Sequence, residues 1–240
     1  MKSYIYVLLC ALSTLLVSCE WDNYTKPNAQ LSGNLVYLGE PIGLSVGEVT
    51  FQLYEPGWQY NAPIYVNVNQ DGAYSALIFD AKYKLIIPAN QGAPFMNIKN
   101  TETNSDTIPV TLSGGLKKDI EVMPYYMVRN TQFAVSGRNV TATFKVEKII
   151  TDANAKNIER VSIYVNKTTL VDGRSDYNIK STDLAGGSIT NLNAISISLD
   201  VPVFDPAKQV VQSYVYARVG IKIDGIEKMI FSPVQKVTVQ

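Results

Sequence analysis

From Tyr214 to Ile223 the chain alternates with a period of two. Val215, Ala217, Val219, Ile221 and Ile223 fall on one side, and Tyr214, Tyr216, Arg218 and Lys222 on the other. Successive side chains of a strand point to opposite faces, so this spacing reads as a strand with one buried face and does not fit the helical period of 3.6. It predicts Arg218 on the solvent side. The same alternation recurs upstream in Leu31, Gly33, Leu35 and Tyr37, in Val49, Phe51 and Leu53, and in Ile64, Val66 and Val68. Tyr74, Ala76 and Ile78 follow, then Tyr83, Leu85 and Ile87, then Ile108, Val110 and Leu112, and finally Ile120 and Val122 before Pro124. Asp71-Gly72 and Asp224-Gly225 are turn signals, because glycine accepts the positive φ of a tight turn.

After Tyr125-Tyr126-Met127-Val128 the strand pattern resumes. It runs through Thr131, Phe133 and Val135, through Val140, Ala142, Phe144 and Val146, and through Val161, Ile163 and Val165, then Ile195, Ile197 and Leu199. Val237 and Val239 end it. Short strands with turn chemistry between them, and no helical pattern separating them, predict an all-β chain of two consecutive β-sandwich domains, 31–124 and 125–240. The short connection leaves little slack, so the two are expected to touch rather than swing.

The first 18 residues are different. Lys2 precedes an apolar run from Tyr4 to Val17, too short for a bilayer span and of the length of a secretory signal. Leu16-Val17-Ser18-Cys19 resembles a bacterial lipobox, whose cysteine thiol receives a diacylglycerol and becomes the first residue after cleavage. Cys19 is therefore the expected lipidation site, residues 1–18 the signal peptide, and residues 19–30, polar and broken by Pro27, a tether. Trp21 is placed to rest at the membrane interface. Glu20 and Asp22 resemble the acidic export signal of surface-displayed Bacteroidetes lipoproteins.

Composition removes most catalytic chemistries. The chain has no His and only two Cys, of which Cys10 leaves with the signal and Cys19 carries lipid. Imidazole-based triads, thiolate nucleophiles and the usual zinc sites are thereby excluded, and no disulfide is available to the body. With 21 basic and 21 acidic residues and no basic run, nothing suggests nucleic acid. No cofactor and no metal is expected.

Four blocks in order, Gly33-Asn34-Leu35-Val36, Gly39-Glu40-Pro41-Ile42, Asp71-Gly72-Ala73-Tyr74 and Tyr83-Lys84-Leu85, resemble carboxypeptidase-regulatory or prealbumin-like domains. The stretch from Tyr214 to Gly225, followed by Ser232 to Val237, resembles the closing hairpin of a fibronectin type III/Ig-like domain. Leu53-Tyr54, Gln70-Asp71-Gly72-Ala73-Tyr74-Ser75-Ala76, Glu121-Val122-Met123-Pro124-Tyr125 and Val215-Tyr216-Ala217-Arg218-Val219-Gly220 together resemble the Bacteroidetes lipoprotein family numbered 3823 among domains of unknown function. That resemblance implies outer-membrane attachment by lipid, surface exposure, and a role beside SusC/SusD-type polysaccharide uptake systems. It carries over no catalytic residue.

Recognition is expected in the stretch from Leu53 to Tyr65, with Tyr54 among its candidates. Pro56-Gly57 breaks the strand and leaves Trp58 and Tyr60 on a loop, where aromatic faces stack on the C–H faces of sugars while Glu55, Gln59 and Asn61 meet hydroxyls. Trp58 folded back as a plug over the sandwich edge, or used as a protein contact, remains an open alternative. Pro94-Phe95-Met96 is a second apolar tip or a piece of core. Asp152, Asn154 and Asn157 form an oxygen-rich loop without the spacing of an EF-hand and read as a solvated turn. Asp71 and Asp80 are the carboxylates a glycosidase reading would pair. Asp106-Thr107-Ile108 resembles the bacterial O-glycosylation acceptor, with Thr107 modified. The expected function is therefore a non-catalytic surface lipoprotein that captures polysaccharide or oligosaccharide. The alternative is a spacer or assembly module that binds only protein.

Overall fold

The structure, a computed structural model, describes residues 25–57, 62–203 and 212–239. The chain is all-β and forms two consecutive sandwiches. In the first half the strands are β1 (Ala29–Tyr37), β2 (Glu40–Pro41), β3 (Thr50–Tyr54), β4 (Ile64–Asn67), β5 (Ala73–Ile78), β6 (Ala81–Ile86), β7 (Phe95–Asn97), β8 (Ile108–Leu112), β9 (Gly115–Lys117) and β10 (Ile120–Pro124). The second half has β11 (Tyr126–Ser136), β12 (Asn139–Lys148), β13 (Ile158–Asn166), β14 (Lys180–Ala185), β15 (Ile195–Asp200), β16 (Tyr214–Ile223), β17 (Ile230–Phe231) and β18 (Gln235–Thr238). Among the described residues no helix is long and apolar enough to cross a membrane.

One sheet of the first domain is ordered β2-β1-β10-β7, with β5 and β9 also pairing with β1; the other is β4-β3-β6-β8. The alternating apolar residues read from the sequence close the space between them. Leu31, Leu35, Phe51, Leu53, Leu85 and Ile120 are all at most 2% exposed. The Phe51 and Tyr74 rings meet edge to face at 4.8 Å between centroids, and the Tyr74 hydroxyl donates to the Lys118 carbonyl. The second domain opposes β11-β12-β15 to β14-β13-β16-β17, with β18 on the end of β16. Phe95 is buried at 6% exposure and β7 pairs with β10, so Pro94-Phe95-Met96 belongs to the core and not to an apolar tip.

The two domains touch, as the short connection implies. A single buried apolar cluster runs from Ala29 through Tyr125 and Met127 to Val239. One expectation reverses here. Arg218, read from its register as solvent-facing, is 1% exposed. Strand β16 has its partners β13 and β17 on either side, and residues 217–221 are buried on both faces. The face that carries Arg218 is covered by the first domain, which a period-two reading of one strand does not see.

Candidate functional site

Strand β3 sends Phe51 and Leu53 inward and Gln52 and Tyr54 outward. The register sets Gln52 opposite Tyr65 on β4 and opposite Ile86 on β6, while Tyr54 lies opposite Lys84. The outer face of the β4-β3-β6-β8 sheet therefore carries a cross-strand row Tyr65, Gln52, Ile86, with Tyr54 diagonal to Tyr65. Diagonal neighbours on one sheet face remain within reach of aromatic side chains. Tyr65 is 64% exposed. The Tyr54 hydroxyl donates to Gln52 Oε1 at 2.9 Å, which steadies both side chains. Two phenol faces and an amide are thus laid on one open surface, immediately before and after the 55–63 loop.

The other sequence candidates sort as follows. Glu55, at the end of β3, is half-buried; after burial itself, its charge is the main cause that pushes the Tyr83 phenol up. Trp58, Gln59, Tyr60 and Asn61 lie outside the described residues, as do Cys19 and Trp21. Thr107 is half-buried just before β8, its N–H bonded to Ser105 Oγ at 3.1 Å, and its neighbour Asp106 accepts from Asn97 Nδ2 at 2.9 Å. Asp152 spends its carboxylate on its own turn, accepting from the Asn154 N–H at 2.8 Å. Asp71 and Asp80 sit at opposite ends of β5, roughly 20 Å apart at the rise of a strand. The carboxyl pairs of glycosidases lie within about 10 Å of each other, so these two cannot flank one bond. Asp80 instead accepts from the Gly114 N–H at 2.6 Å.

A second locus, unmarked in the sequence, lies where the domains meet. The Arg218 guanidinium donates from Nε to the Ser232 carbonyl at 2.7 Å and from Nη1 to the carbonyls of Leu44 and Val171 at 2.8 and 3.2 Å. Its Nη2 donates to the Gln70 carbonyl at 2.5 Å. The Phe231 ring stacks at 4.4 Å. Leu44 and Gln70 belong to the first domain, so one cation of the second domain is held partly by main-chain oxygens of the first. Burial draws Arg218 down to about 9, opposed by the charges of Asp172 and Asp71, and it stays a cation at neutral pH. Two further arginines help. Arg174 grips Asp172 and donates to the Val46 carbonyl at 3.1 Å, and Arg129 pairs with Glu40 across the boundary. Gln70 completes the seam by donating through Nε2 to the Thr169 carbonyl at 2.7 Å.

The tight fit depends on two glycines. A Cβ on Gly43 would lie 2.3 Å from the Phe231 carbonyl oxygen, and the bond from the Phe231 N–H to Gly43 O at 2.9 Å needs that closeness. Gly72 takes φ +81° in the Asp71-Gly72 turn, and its carbonyl accepts from the Leu35 N–H at 2.8 Å. The turn is folded in against β1 and is no free hairpin tip. The signal that could have exposed this locus is Gly220, which shares a face with Arg218. Glycine in mid-strand marks a close approach, and here its missing Cβ leaves room for the Phe231 ring.

Comparison with known proteins places these features in company. A model described as "Protein of unknown function (DUF3823) N-terminal domain" matches residues 29–123, and one described as "Domain of unknown function (DUF3823_C)" matches residues 126–236. Neither describes a catalytic family. A solved structure of a DUF3823 family protein from Bacteroides ovatus is 32% identical with a TM-score of 0.73, over 88% of this chain and 100% of that one. A DUF3823 family protein from Parabacteroides merdae is 31% identical with a TM-score of 0.73, over 89% and 100%. A protein from Bacteroides uniformis, described as "a putative carbohydrate binding protein", shares the fold at 17% identity and a TM-score of 0.67, over 89% and 100%. No curated protein matches the chain.

Proposed function

Because the chain belongs to the DUF3823 family, both of whose domains it contains, we propose that it is a non-catalytic surface lipoprotein that binds glycan for a SusC/SusD-type uptake system. Cys19 carries the lipid, and residues 19–28 tether the body to the outer membrane, two residues fewer than the polar stretch was expected to span, because Ala29 and Gln30 already pair with β5 as the start of β1. The outer face of β3 and β4 with its adjoining loop makes the contact. The observation that carries this reading is the exposure of Tyr65 beside Gln52 and Tyr54 on one flat sheet face. A phenol held 64% open to solvent at mid-strand adds little to the packing of the chain itself. It offers a large apolar face with few rotatable bonds and a polar tip, which suits a sugar ring. The fold relative from Bacteroides uniformis supplies the ligand class to try first.

The test is a panel of polysaccharides titrated against the purified full chain, with Tyr65→Ala and Trp58→Ala as variants. We expect at least one glycan to bind, and either variant to weaken it about tenfold or more. Leu77 and Phe79, 63% and 43% exposed at the end of β5, favour the alternative of a protein-binding assembly module. No glycan binding, together with a transporter component co-purifying through a surface lost in Leu77→Ser, would establish that alternative. The anchor has its own check. Labelled palmitate should enter the wild-type chain and fail to enter Cys19→Ala.

A further inference from the structure

The seam around Arg218 does not close completely. A cleft of roughly 510 Å³ opens between the domains, floored by Arg218 and Phe231 and walled by Pro41 and Val234, with Asn34 and Asp71 on its rim. This volume lies within the range of small-ligand sites, about 300–1,000 Å³. A guanidinium has five N–H donors, and carbonyls of the chain take four of them. The fifth belongs to Nη2, which lies 2.9 Å from the place a Gly43 Cβ would occupy, and both residues line the cleft. A charged donor buried this deeply is costly to leave without an acceptor.

The rim supplies the opposite polarity. Asp71 uses one carboxylate oxygen to accept from the Ala73 N–H at 3.2 Å, leaving the other uncommitted among the described residues. Asn34 donates its amide to Asp119 at 3.3 Å, which leaves its Oδ1 as an acceptor. Glu40, also on the rim, is held by Arg129. An anion entering here would face the Asp71 and Glu40 carboxylates, and a cation would face Arg218. A neutral polyol meets neither objection. One hydroxyl accepts from Nη2 while its neighbour donates to Asp71, and the C–H face of the ring lies on Pro41 and Val234, which are not buried.

We propose that the interdomain cleft is a second binding site, for one or two units of a neutral saccharide, with Arg218 as the donor and Asp71 as the acceptor. The class of ligand rests on the glycan reading above; the place does not, since it lies at the domain boundary and uses none of the β3–β4 face.

The test is an amide-resolved NMR titration of the full chain with glucose, mannose, galactose, maltose and cellobiose, and with glucuronate as the anionic control. At least one neutral sugar should shift the amides of Asn34, Gly43 and Gly72. Asp71→Asn, which keeps the turn's acceptor, should weaken that binding at least fivefold. Val234→Trp should abolish it in a chain whose spectrum otherwise shows the native fold. Tyr65→Ala should leave it unchanged. Shifts confined to the β3–β4 face would overturn the cleft and spare the proposed function. Cleft shifts with a polysaccharide affinity indifferent to Tyr65 would uphold the cleft and overturn the outer face. A preference for glucuronate would overturn the neutral-polyol assignment, and silence from every sugar at every amide would overturn the cleft and leave the outer face to the polysaccharide titration.

Discussion

Leu38 is 81% exposed and holds φ +50°, beside Gly39 at +78°, in the two-residue turn between β1 and β2. A Cβ-bearing residue in the left-handed region costs about 1–2 kcal/mol, and Asn-Gly is the pair such turns prefer. Leu38→Asn should therefore stabilise the chain by about 1 kcal/mol, read as a higher urea midpoint at unchanged slope; an unchanged or lower midpoint would show that the leucine is not strained. Arg218 is the opposite case. Arg218→Met removes a charge that costs much to bury, yet it leaves four carbonyls facing an apolar side chain. By analogy with breaking a buried ion pair, the loss should be about 3–5 kcal/mol in chemical denaturation. Arg129→Ala, whose partners Glu40 and Glu147 are both about half-solvated, should cost no more than about 1 kcal/mol.

At the scale of the strand, close approach matters more than side-chain chemistry. Gly43→Ala would force β17 away from the segment it bridges and should cost about 1–3 kcal/mol, the usual price of overpacking. A neutral outcome would mean that the seam is looser than 2.3 Å implies. Elements with a clean alternation were legible in the sequence, because a buried face leaves its mark every second residue. β14 was not: Lys180-Ser181-Thr182-Asp183-Leu184-Ala185 lies at the edge of its sheet and is nowhere fully buried, so no apolar face is written into it. β2, β7 and β9 are two or three residues long, too short to show any period. Half of the candidate face was legible for the same reason. Tyr54 could be placed beside the Pro56-Gly57 break. Its partnership with Gln52 and Tyr65 depends on register across strands, and Arg218 depends on a surface contributed by another domain. Neither is encoded in a local pattern.

For the molecule as a whole, the shared core and the seam predict a single cooperative transition. Calorimetric and van't Hoff enthalpies should agree, and two resolved transitions would refute this. With no His, no side chain titrates at its ordinary pKa between about pH 5 and 8, so stability should be flat there. Above pH 10 it should fall. Burial holds the phenols of Tyr74, Tyr83, Tyr126 and Tyr164 above their ordinary value of 10.0, so the folded chain keeps protons that the unfolded chain gives up. Their stabilisation is whole below pH 10 and disappears as the pH climbs through the folded values. Burial acts on Arg218 in the opposite sense, lowering it, but it is one group against four. A thermal midpoint that rises between pH 10 and 11 would contradict this balance.

The cation at the seam is received by the backbone oxygens of Leu44 and Gln70, and every amino acid carries such an oxygen. The socket itself is therefore set by the path of the first domain's chain, while the side chains at those two positions answer to other demands, Leu44 as buried core and Gln70 through its amide bond to Thr169. Relatives can therefore diverge widely over the first domain's exterior, and over whatever that exterior grasps, while both halves remain locked at one angle.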